Sequence, residues 1–191
     1  MTAGPDLPTT SWAVLGMLSH TGESSGYDLK KVADGSLQMF YWSPSFSQIY
    51  AELKRLEGCG FVTSRPVVSD DGLRGKRMYS ITASGREAVA HWVNHSPVEA
   101  PVLKHSVLLR AWLSHLAEPD RLRDILSEHI AYAETMRRRA ESDAAAAADT
   151  EPAVPGAVLR WCIRHYEAER DFAAELLADL EGQVLRDRPA S

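Results

Sequence analysis

The spacing of apolar positions divides the N-terminal half of the chain into helices and short strands. An apolar run at residues 12–18 follows Thr9 and Thr10, and a threonine hydroxyl can cap the free amides at a helix start. We therefore predict a first helix over about residues 10–19. The segment HTGESSG interrupts this pattern. A second helix is expected from about residue 27 to residue 35, with Leu29 and Val32 on its inner face and Tyr27 nearby.

The third helix is the clearest element in the pattern. Ser43 and Pro44 predict an N-cap followed by proline at the first helical position, and Gly58 and Gly60 predict the end. Apolar side chains recur between them at helical spacing: Phe46, Ile49, Tyr50, Leu53 and Leu56. The opposite face is polar: Ser45, Ser47, Gln48, Glu52, Lys54 and Arg55. The sequence thus predicts an amphipathic helix with one face free for contacts.

Two β-rich runs follow, at residues 61–68 and 76–82. The turn-forming linker SDDGLRG between them predicts a hairpin, and Pro66 predicts that the first strand lies at an edge or a bulge. Thr82 is expected to cap a fourth helix at about residues 83–94. A three-helix cluster that carries a β-hairpin is the arrangement of a winged helix-turn-helix domain. The predicted fold class is therefore mainly α with a small β-hairpin.

The segment SPVEAP at residues 96–101 predicts a domain boundary, so the expected domains are 1–95 and 96–191. Three further helices are expected, at about residues 103–116, from residue 119 past Met136, and at about residues 158–185. An alanine-rich tract could extend the middle helix, and Pro152, Pro155 and Gly156 are expected to end any helix. The first of the three is apolar nearly all round, which predicts burial on several sides.

These C-terminal helices predict a homodimer. Three helices in about 90 residues cannot easily close a core alone, and two-fold dimers are the commonest oligomers. The expected architecture is therefore an N-terminal winged helix-turn-helix followed by a C-terminal helical dimerisation domain.

Charge and composition narrow the function classes. The net charge is −5 and the apolar share is 45%, which is an ordinary value for a globular protein. Residues 1–95 carry nine basic and nine acidic side chains, and residues 96–191 carry twelve and seventeen. The local charge of a surface decides nucleic-acid binding more than the net charge does, so the neutral N-terminal half is the better DNA-binding candidate.

Other classes find little support in the sequence. Cys59 and Cys162 lack CxxC or Cys/His spacing, which argues against a metal ribbon or a disulfide framework. No nucleophile, phosphate-loop or zinc-protease motif occurs, so we expect no enzyme. No apolar run or signal peptide points to a membrane or to export, so the expected location is cytoplasmic, with no membrane partner.

Residues 12–93 resemble the PadR family of transcriptional regulators. The resemblance rests on a set of residues in the family's order and spacing: Gly26-Tyr27, Trp42-Ser43-Pro44, Tyr50, Leu53, Leu56-Glu57, Gly60, Tyr79 and Thr82-Ala83-Ser84-Gly85. The segment PVLKHSVLLRAWLSHL is similar to the start of the C-terminal helical domain in the longer subgroup. The resemblance implies a dimeric, winged-helix repressor on a palindromic operator. Some members of the family release DNA when they bind small aromatic or drug-like compounds, so the resemblance also makes such a compound a candidate effector.

The expected DNA-binding residues lie on the third helix and in the hairpin. A recognition helix offers polar groups to base edges in the major groove, and a basic wing contacts phosphates or the minor groove. The candidates are Ser45, Ser47, Gln48 and Lys54 on the helix and Arg74, Lys76 and Arg77 in the wing. The alternatives are a solvated helix and an ordinary charged hairpin, or a winged helix that binds protein and not DNA.

Three further groups have competing interpretations. Glu87, His91 and His95 share one helix face and could bind a metal in an unrecognised metal-dependent enzyme, although a solvated face is favoured and no metal or cofactor is expected. Trp112 and His115 could line an effector pocket between subunits or pack in a dimer core. The arginines at 137–139 could contact phosphates, but a solvated face opposite acids of the last helix is favoured.

Overall fold

The computed structural model describes residues 7–68, 75–147 and 154–186. The chain forms two compact units, Met1–Ala100 and Pro101–Ser191. The elements of the first unit follow in chain order: α1 (Thr9–Thr21), β1 (Ser24–Ser25), α2 (Gly26–Gly35), a 3-10 turn (Leu37–Met39), α3 (Phe46–Gly58), β2 (Val62–Val67), β3 (Lys76–Ile81) and α4 (Ala83–His95). Those of the second unit are α5 (Ser106–Trp112), a 3-10 turn (Ser114–Leu116), α6 (Pro119–Ala146) and α7 (Val154–Arg186).

The small sheet has three antiparallel strands in the order β1-β3-β2. The predicted hairpin is confirmed as β2 and β3, and Pro66 lies on the edge strand opposite Arg77. The third strand, β1, is not predicted by the sequence pattern, because it lies in a segment whose composition indicates only a helix break. Ser24 of this strand pairs with Tyr79 of β3. Together with α1–α3, this sheet gives a winged helix-turn-helix unit, as the sequence predicts.

The core of the first unit lies between α1, α2, α3 and the sheet. Its most deeply buried side chains have no exposed surface: Val14, Leu15, Leu18, Leu29, Ile49, Leu53 and Leu56. Trp12 of α1 stacks on Trp92 of α4, with ring centroids 5.7 Å apart. This contact holds α4 against the helical cluster, and complete burial of branched apolar side chains is the main favourable term in such a core.

The interior face of α3 is narrower than its sequence pattern predicts. Ile49, Leu53 and Leu56 are buried, but Phe46 and Tyr50 are 45% and 46% exposed, and Tyr27 of α2 is exposed as well. Glu52, expected on the solvent face, is instead buried, where it accepts hydrogen bonds from Ser11 and from Arg55. The prediction that Phe46 and Tyr50 belong to the apolar inner face of α3 is therefore wrong.

The start of α3 also differs from the prediction. The N-cap is Ser45 and not Ser43, and the helix begins at Phe46, so Pro44 precedes the helix and is buried. Ser43 instead donates a hydrogen bond to Asp34 and lies 3.0 Å from Lys30 Nζ. These contacts fasten the segment before α3 to α2.

Glycines shape the end of α3 and the start of α4. Gly60 has a φ of 74°, and the amides of Gly60 and Phe61 donate to the carbonyls of Glu57 and Leu56, the bond pattern of a Schellman cap. The hydroxyl of Thr82 caps α4 and also donates to the Gly60 carbonyl at 2.9 Å. A Cβ on Gly85 would lie 2.2 Å from the Phe61 oxygen, so only glycine lets α4 start so close to this turn.

The second unit is built on α6 and α7, which pack side by side. Its buried core includes Leu122, Leu126 and Ala173. The helix α6 ends at Ala146, before the prolines. The helix α7 begins at Val154 and not at about residue 158, so Pro155 and Gly156 lie in its first turn. Proline is tolerated in a first turn because its missing N–H has no intrahelical partner. Among the described residues, no helix combines the length and apolar character needed to cross a membrane.

The helix α5 is shorter and more exposed than predicted. It has seven residues where the sequence suggests fourteen over 103–116, and none of them is buried. Leu108, Leu109 and Trp112 are exposed by 48%, 57% and 78%. The expected burial of this helix on several sides is therefore not present within one chain.

Candidate nucleic-acid interface

Three of the predicted DNA-binding residues form one cluster at the N-terminus of α3. Ser45 Oγ accepts a hydrogen bond from the Gln48 amide at 3.3 Å, and Gln48 Oε1 accepts one from the Ser45 amide at 2.8 Å. Ser47 Oγ lies 3.0 Å from Ser45 Oγ. All three side chains are exposed. This capping box fixes the orientation of Gln48, and its side-chain NH2 group is the donor that it can offer to a base.

Lys54 extends this cluster along the exposed face of α3. It lies seven residues after Ser47, so the two side chains share one stripe of the helix, and it is exposed. The neighbouring Arg55 is held by Glu52, with Nε and Oε2 3.1 Å apart. The structure therefore brings Ser45, Ser47, Gln48 and Lys54 onto one surface, as predicted.

An aromatic patch that the sequence interpretation missed lies beside this cluster. It consists of Tyr27, Phe46 and Tyr50. The rings of Tyr27 and Phe46 stack with centroids 6.2 Å apart, and a Cβ on Gly26 would lie 2.6 Å from the Tyr50 ring. Glycine at this position thus lets Tyr50 lie against the start of α2. The Gly26-Tyr27 pair is the sequence signal that could have indicated this contact.

Two lysine side chains lie beside the aromatic patch, and one of them, Lys30, is also paired with Asp34. Lys31 Nζ lies 4.9 Å from the centre of the Tyr27 ring, and Lys30 Nζ lies 6.0 Å from that of Phe46. Aromatic faces attract ammonium groups at these distances. Phenol hydroxyls and ammonium groups both bind phosphate oxygens, so this patch has the chemistry of a backbone contact surface.

The wing contributes two of its three predicted residues to the described structure. Lys76 and Arg77 are exposed on β3, and Arg77 donates to Ser64 Oγ of β2 at 2.7 Å. Hydrogen bonds from Ser25 hold the pKa of Asp28 below its usual range, and the charge of Lys76 adds to this effect. Lys76 therefore lies near the start of α2. Arg74 lies outside the described residues.

A third basic side chain of the sheet has a structural partner. Arg65 of β2 makes two hydrogen bonds to Glu23, at 2.7 Å and 2.6 Å. The hydrogen bond from Arg65 lowers the pKa of Glu23. This exposed ion pair joins β2 to the segment after α1, so Arg65 is less available than Lys76 for a phosphate.

The metal candidates on α4 do not converge. His91 and His95 are exposed and their rings stack on each other, while His95 Nδ1 lies 3.1 Å from the carbonyl oxygen of His91. In the described part of the chain, the His, Cys, Asp and Glu side chains form only one group that could hold a metal ion, and that group contains neither these histidines nor Glu87. It lies in the second unit.

The remaining predicted residues lie on the second unit. Trp112 and His115 are both exposed, so within one chain they face open surface and not a core.

The acids expected opposite the arginines at 137–139 lie mainly on the same helix. Arg137 pairs with Glu134 and Glu141 of α6, and Arg138 also pairs with Glu134. The ion pair that reaches α7 joins Glu134 to Arg170 at 3.1 Å. Arg137 and Arg138 thus make these ion pairs within α6, because residues three and four apart meet on one helix. Hydrogen bonding to Glu134 raises the pKa of Arg137, and the charge of Glu167 on α7 adds to this effect, so Arg137 also faces an acid of the last helix, as predicted.

Known proteins similar to this chain are transcriptional regulators. The model of the transcriptional regulator PadR-like family matches residues 14–91. The negative transcriptional regulator PadR of Bacillus subtilis is 35% identical over 120 residues, which cover 62% of this chain and 64% of that protein. The chain thus aligns with less than two thirds of this relative's length. These proteins are regulators and not enzymes, in agreement with the prediction from the sequence.

Solved structures share the fold over nearly their whole length. The protein smu.1604c of Streptococcus mutans has a TM-score of 0.78 and 26% identity, with 88% of this chain and 98% of that chain covered. Bacillus subtilis PadR in complex with operator DNA has a TM-score of 0.73 and 24% identity, with 91% and 99% covered. The same Bacillus protein in complex with p-coumaric acid has a TM-score of 0.65 and 23% identity over the same shares.

Proposed function

We propose that this chain is a PadR-like transcriptional regulator, a sequence-specific repressor that binds a palindromic operator as a homodimer. The match of residues 14–91 to the PadR-like family supports this proposal. The observation that carries the proposal is the exposed, capped N-terminus of α3, where Ser45, Ser47 and Gln48 lie together. Binding to operator DNA would place the protein in the cytoplasm with the chromosome.

In this proposal, α3 enters the major groove with its N-terminal turn leading. Gln48 donates from its side-chain NH2 group to a base edge, while Ser45 and Ser47 contact bases or phosphates. Lys54 and the aromatic patch bind the backbone next to the groove. Lys76, Arg77 and Arg74 of the wing contact phosphates or the minor groove on the other side. Gln48 therefore reads sequence, and the lysines and arginines supply affinity that does not depend on sequence.

A second copy of the chain is the proposed partner of the second unit. The exposed Leu108, Leu109 and Trp112 form an apolar surface on α5, and such surfaces on soluble proteins commonly mark interaction sites. A two-fold dimer would relate two α3 helices by symmetry. Two half-sites would then lie about 34 Å apart, one turn of DNA, or a multiple of it.

We also propose that a small, planar aromatic or drug-like molecule binds the second unit near Trp112 and His115 and weakens operator binding. The support is the p-coumaric acid complex of the similar Bacillus protein and the exposed Trp112 on the proposed dimer surface. A preference of about 1.4 kcal/mol for the DNA-incompetent state would weaken operator affinity about tenfold. Quenching of tryptophan fluorescence by phenolic acids tests this, with Trp112→Phe compared with Trp161→Phe. Quenching of Trp112 without any change in operator affinity would contradict the coupling.

Selection of bound sites from fragments of the source genome tests the main proposal. We expect inverted repeats to be enriched. Gln48→Ala should change the preference among sequences, whereas Lys76→Ala/Arg77→Ala should weaken all sequences alike. The double wing variant should also reduce the salt dependence, by about one unit of slope for each phosphate that is no longer bound. Failure to enrich any sequence would favour a winged helix that binds protein.

A further inference from the structure

Two histidines and one glutamate of the second unit converge on a single oxygen atom. His105 Nε2 lies 2.6 Å from Glu169 Oε2, and His129 Nε2 lies 3.0 Å from the same atom. His105 directly precedes α5, His129 lies on α6 and Glu169 lies on α7. Their possible ligand atoms all lie within 4.8 Å of one another. Residues far apart in the sequence are thus brought together by the packing of three helices.

The surroundings suit a bound cation with access to solvent. The side chains of His105, His129 and Glu169 are only 13%, 14% and 21% exposed. They form one wall of an open groove of about 460 Å³, which Tyr132 and His165 also line. Burial raises the pKa of Glu169, but hydrogen bonds from His105 and His129 outweigh it and lower the pKa overall. The carboxylate is therefore charged near neutral pH.

We propose that His105, His129 and Glu169 form a binding site for a divalent transition-metal ion of the zinc type. Two imidazole nitrogens and one carboxylate oxygen are a known donor set for zinc, with a fourth position left for water. Bonds of about 2.0–2.1 Å in a tetrahedral site put neighbouring ligand atoms about 3.3 Å apart. The N···O distances of 2.6 Å and 3.0 Å therefore need to open by about 0.7 Å and about 0.3 Å, and the groove supplies the open position.

Metal binding at His105 must also change the start of α5. His105 Nδ1 accepts a hydrogen bond from the Leu108 amide at 3.1 Å, so the neutral ring carries its proton on Nε2, where it donates to Glu169. A metal at Nε2 requires that the proton be on Nδ1, since a neutral imidazole has one N–H. The tautomer changes with no net gain or loss of a proton, and Nδ1 can no longer accept from Leu108. Occupancy of the site therefore removes the cap of the helix that carries Trp112.

Titration of the metal-free, full-length protein with Co²⁺ tests the site directly. We expect one Co²⁺ per chain, with visible absorption bands of a low-symmetry nitrogen and oxygen site that Zn²⁺ then removes. Glu169→Gln keeps the shape of the side chain and His129→Asn removes one nitrogen. Each should weaken Co²⁺ binding by at least about tenfold, since even indirect partners of a metal site contribute about that much. The matched control, His91→Asn/His95→Asn, should bind as the wild type does.

Several outcomes would overturn the proposal. The first is the absence of the visible Co²⁺ bands in the wild type. The second is undiminished Co²⁺ binding in Glu169→Gln and His129→Asn when both variants keep native circular dichroism. The third is loss of Co²⁺ binding in the α4 control. The change at α5 has its own readout in the amide resonance of Leu108. Addition of Zn²⁺ should shift this resonance in the wild type and not in Glu169→Gln, and an unmoved resonance at full occupancy would contradict the loss of the cap. This inference does not depend on the proposed DNA binding.

Discussion

The two units of this chain differ in how completely each buries its own apolar side chains. In the first unit, α1, α2 and α3 enclose a core whose central leucines, Leu15 and Leu53 among them, have no exposed surface. In the second unit, α5 has no buried residue. The first unit encloses its own core, whereas α5 of the second unit presents an apolar surface, and such surfaces commonly mark interaction sites. This difference supports the proposal that DNA binding and subunit pairing belong to separate parts of the chain.

The exposed aromatic side chains of the two units also differ in their neighbours. Tyr27 and Phe46 of the first unit stack together next to Lys30 and Lys31. Trp112 of the second unit lies on a helix with Leu108 and Leu109. Aromatic side chains among cations suit an anionic backbone, whereas aromatic side chains among leucines suit another apolar surface. The side chains around an exposed aromatic residue, and not its exposure alone, therefore indicate which kind of partner suits it.

The largest expected effect is the loss of a core side chain in the first unit. Leu53→Ala should lower the free energy of unfolding by about 2–5 kcal/mol, because it removes buried apolar contacts and leaves a cavity. Trp112→Ala should leave the unfolding of the first unit unchanged, since Trp112 is exposed in the single chain. Urea unfolding followed by circular dichroism measures both. Equal destabilisation of the first unit by the two variants would remove the distinction between the units.

The next effect concerns pairing through α5. Leu109→Glu/Trp112→Glu should convert a particle of twice the 21.1 kDa chain mass into a single chain, because burial of two charges in an apolar interface is unfavourable. Aromatic side chains at such interfaces commonly contribute about 2–4 kcal/mol each. Light scattering at micromolar concentration gives the mass. The control is Val93→Glu, an exposed apolar position on α4, which should stay dimeric; a dimer in both variants would place the interface elsewhere.

Two glycines of the first unit should respond differently to the same substitution. Gly85→Ala should lower the free energy of unfolding by about 1–3 kcal/mol, because the new Cβ meets the backbone oxygen of Phe61 and the close packing must shift. Gly26→Ala meets only the ring of Tyr50, whose exposed side chain can move away. Gly26→Ala should therefore change the free energy of unfolding little. It should weaken DNA binding, because Tyr50 is displaced from its place in the aromatic patch. An equal loss of stability would show that Tyr50 is fixed in place.

The smallest expected effect is that of the exposed pair Glu23–Arg65. The hydrogen bond from Arg65 lowers the native pKa of Glu23 below the ordinary value of 4.5, so the unfolded chain binds a proton more readily. The stabilisation of the folded state by this ion pair is therefore present above about pH 4.5, and it is lost as the pH falls through the native pKa of Glu23. Glu23→Gln should lower the melting temperature slightly at pH 7 and not at pH 3. The decrease in melting temperature at pH 7 should also be smaller in high salt. Glu87→Gln serves as the control.

Local sequence patterns predict most elements of the first unit. They fail where contacts with residues distant in the sequence determine the structure. The S-x-x-Q pattern from Ser45 to Gln48 is a capping-box signal, and it competes with the Ser43-Pro44 signal that predicts the wrong start for α3. The strand β1 exists only because Ser24 and Ser25 pair with β3, and two residues carry no pattern of their own.

The sites could be predicted only in part for the same reason. The polar stripe of α3 follows from helical spacing, and Ser45, Ser47 and Gln48 do lie together. Spacing of four along α4 favours His91 and His95 as metal candidates. The convergent group instead joins His105 to His129 and Glu169, across three helices. No regular spacing connects those positions, so only the tertiary packing reveals them.

If the first unit reads DNA while the second pairs two chains, as we propose, the number of chains bound to one operator must be two. Light scattering of the purified complex on a selected inverted repeat should give two chains per duplex. Scrambling one half-site should weaken binding strongly, and so should Leu109→Glu/Trp112→Glu on the intact repeat, although that variant keeps the native circular dichroism of the first unit. One chain per duplex, bound equally well by the wild type and this variant, would contradict this division of roles between the two units.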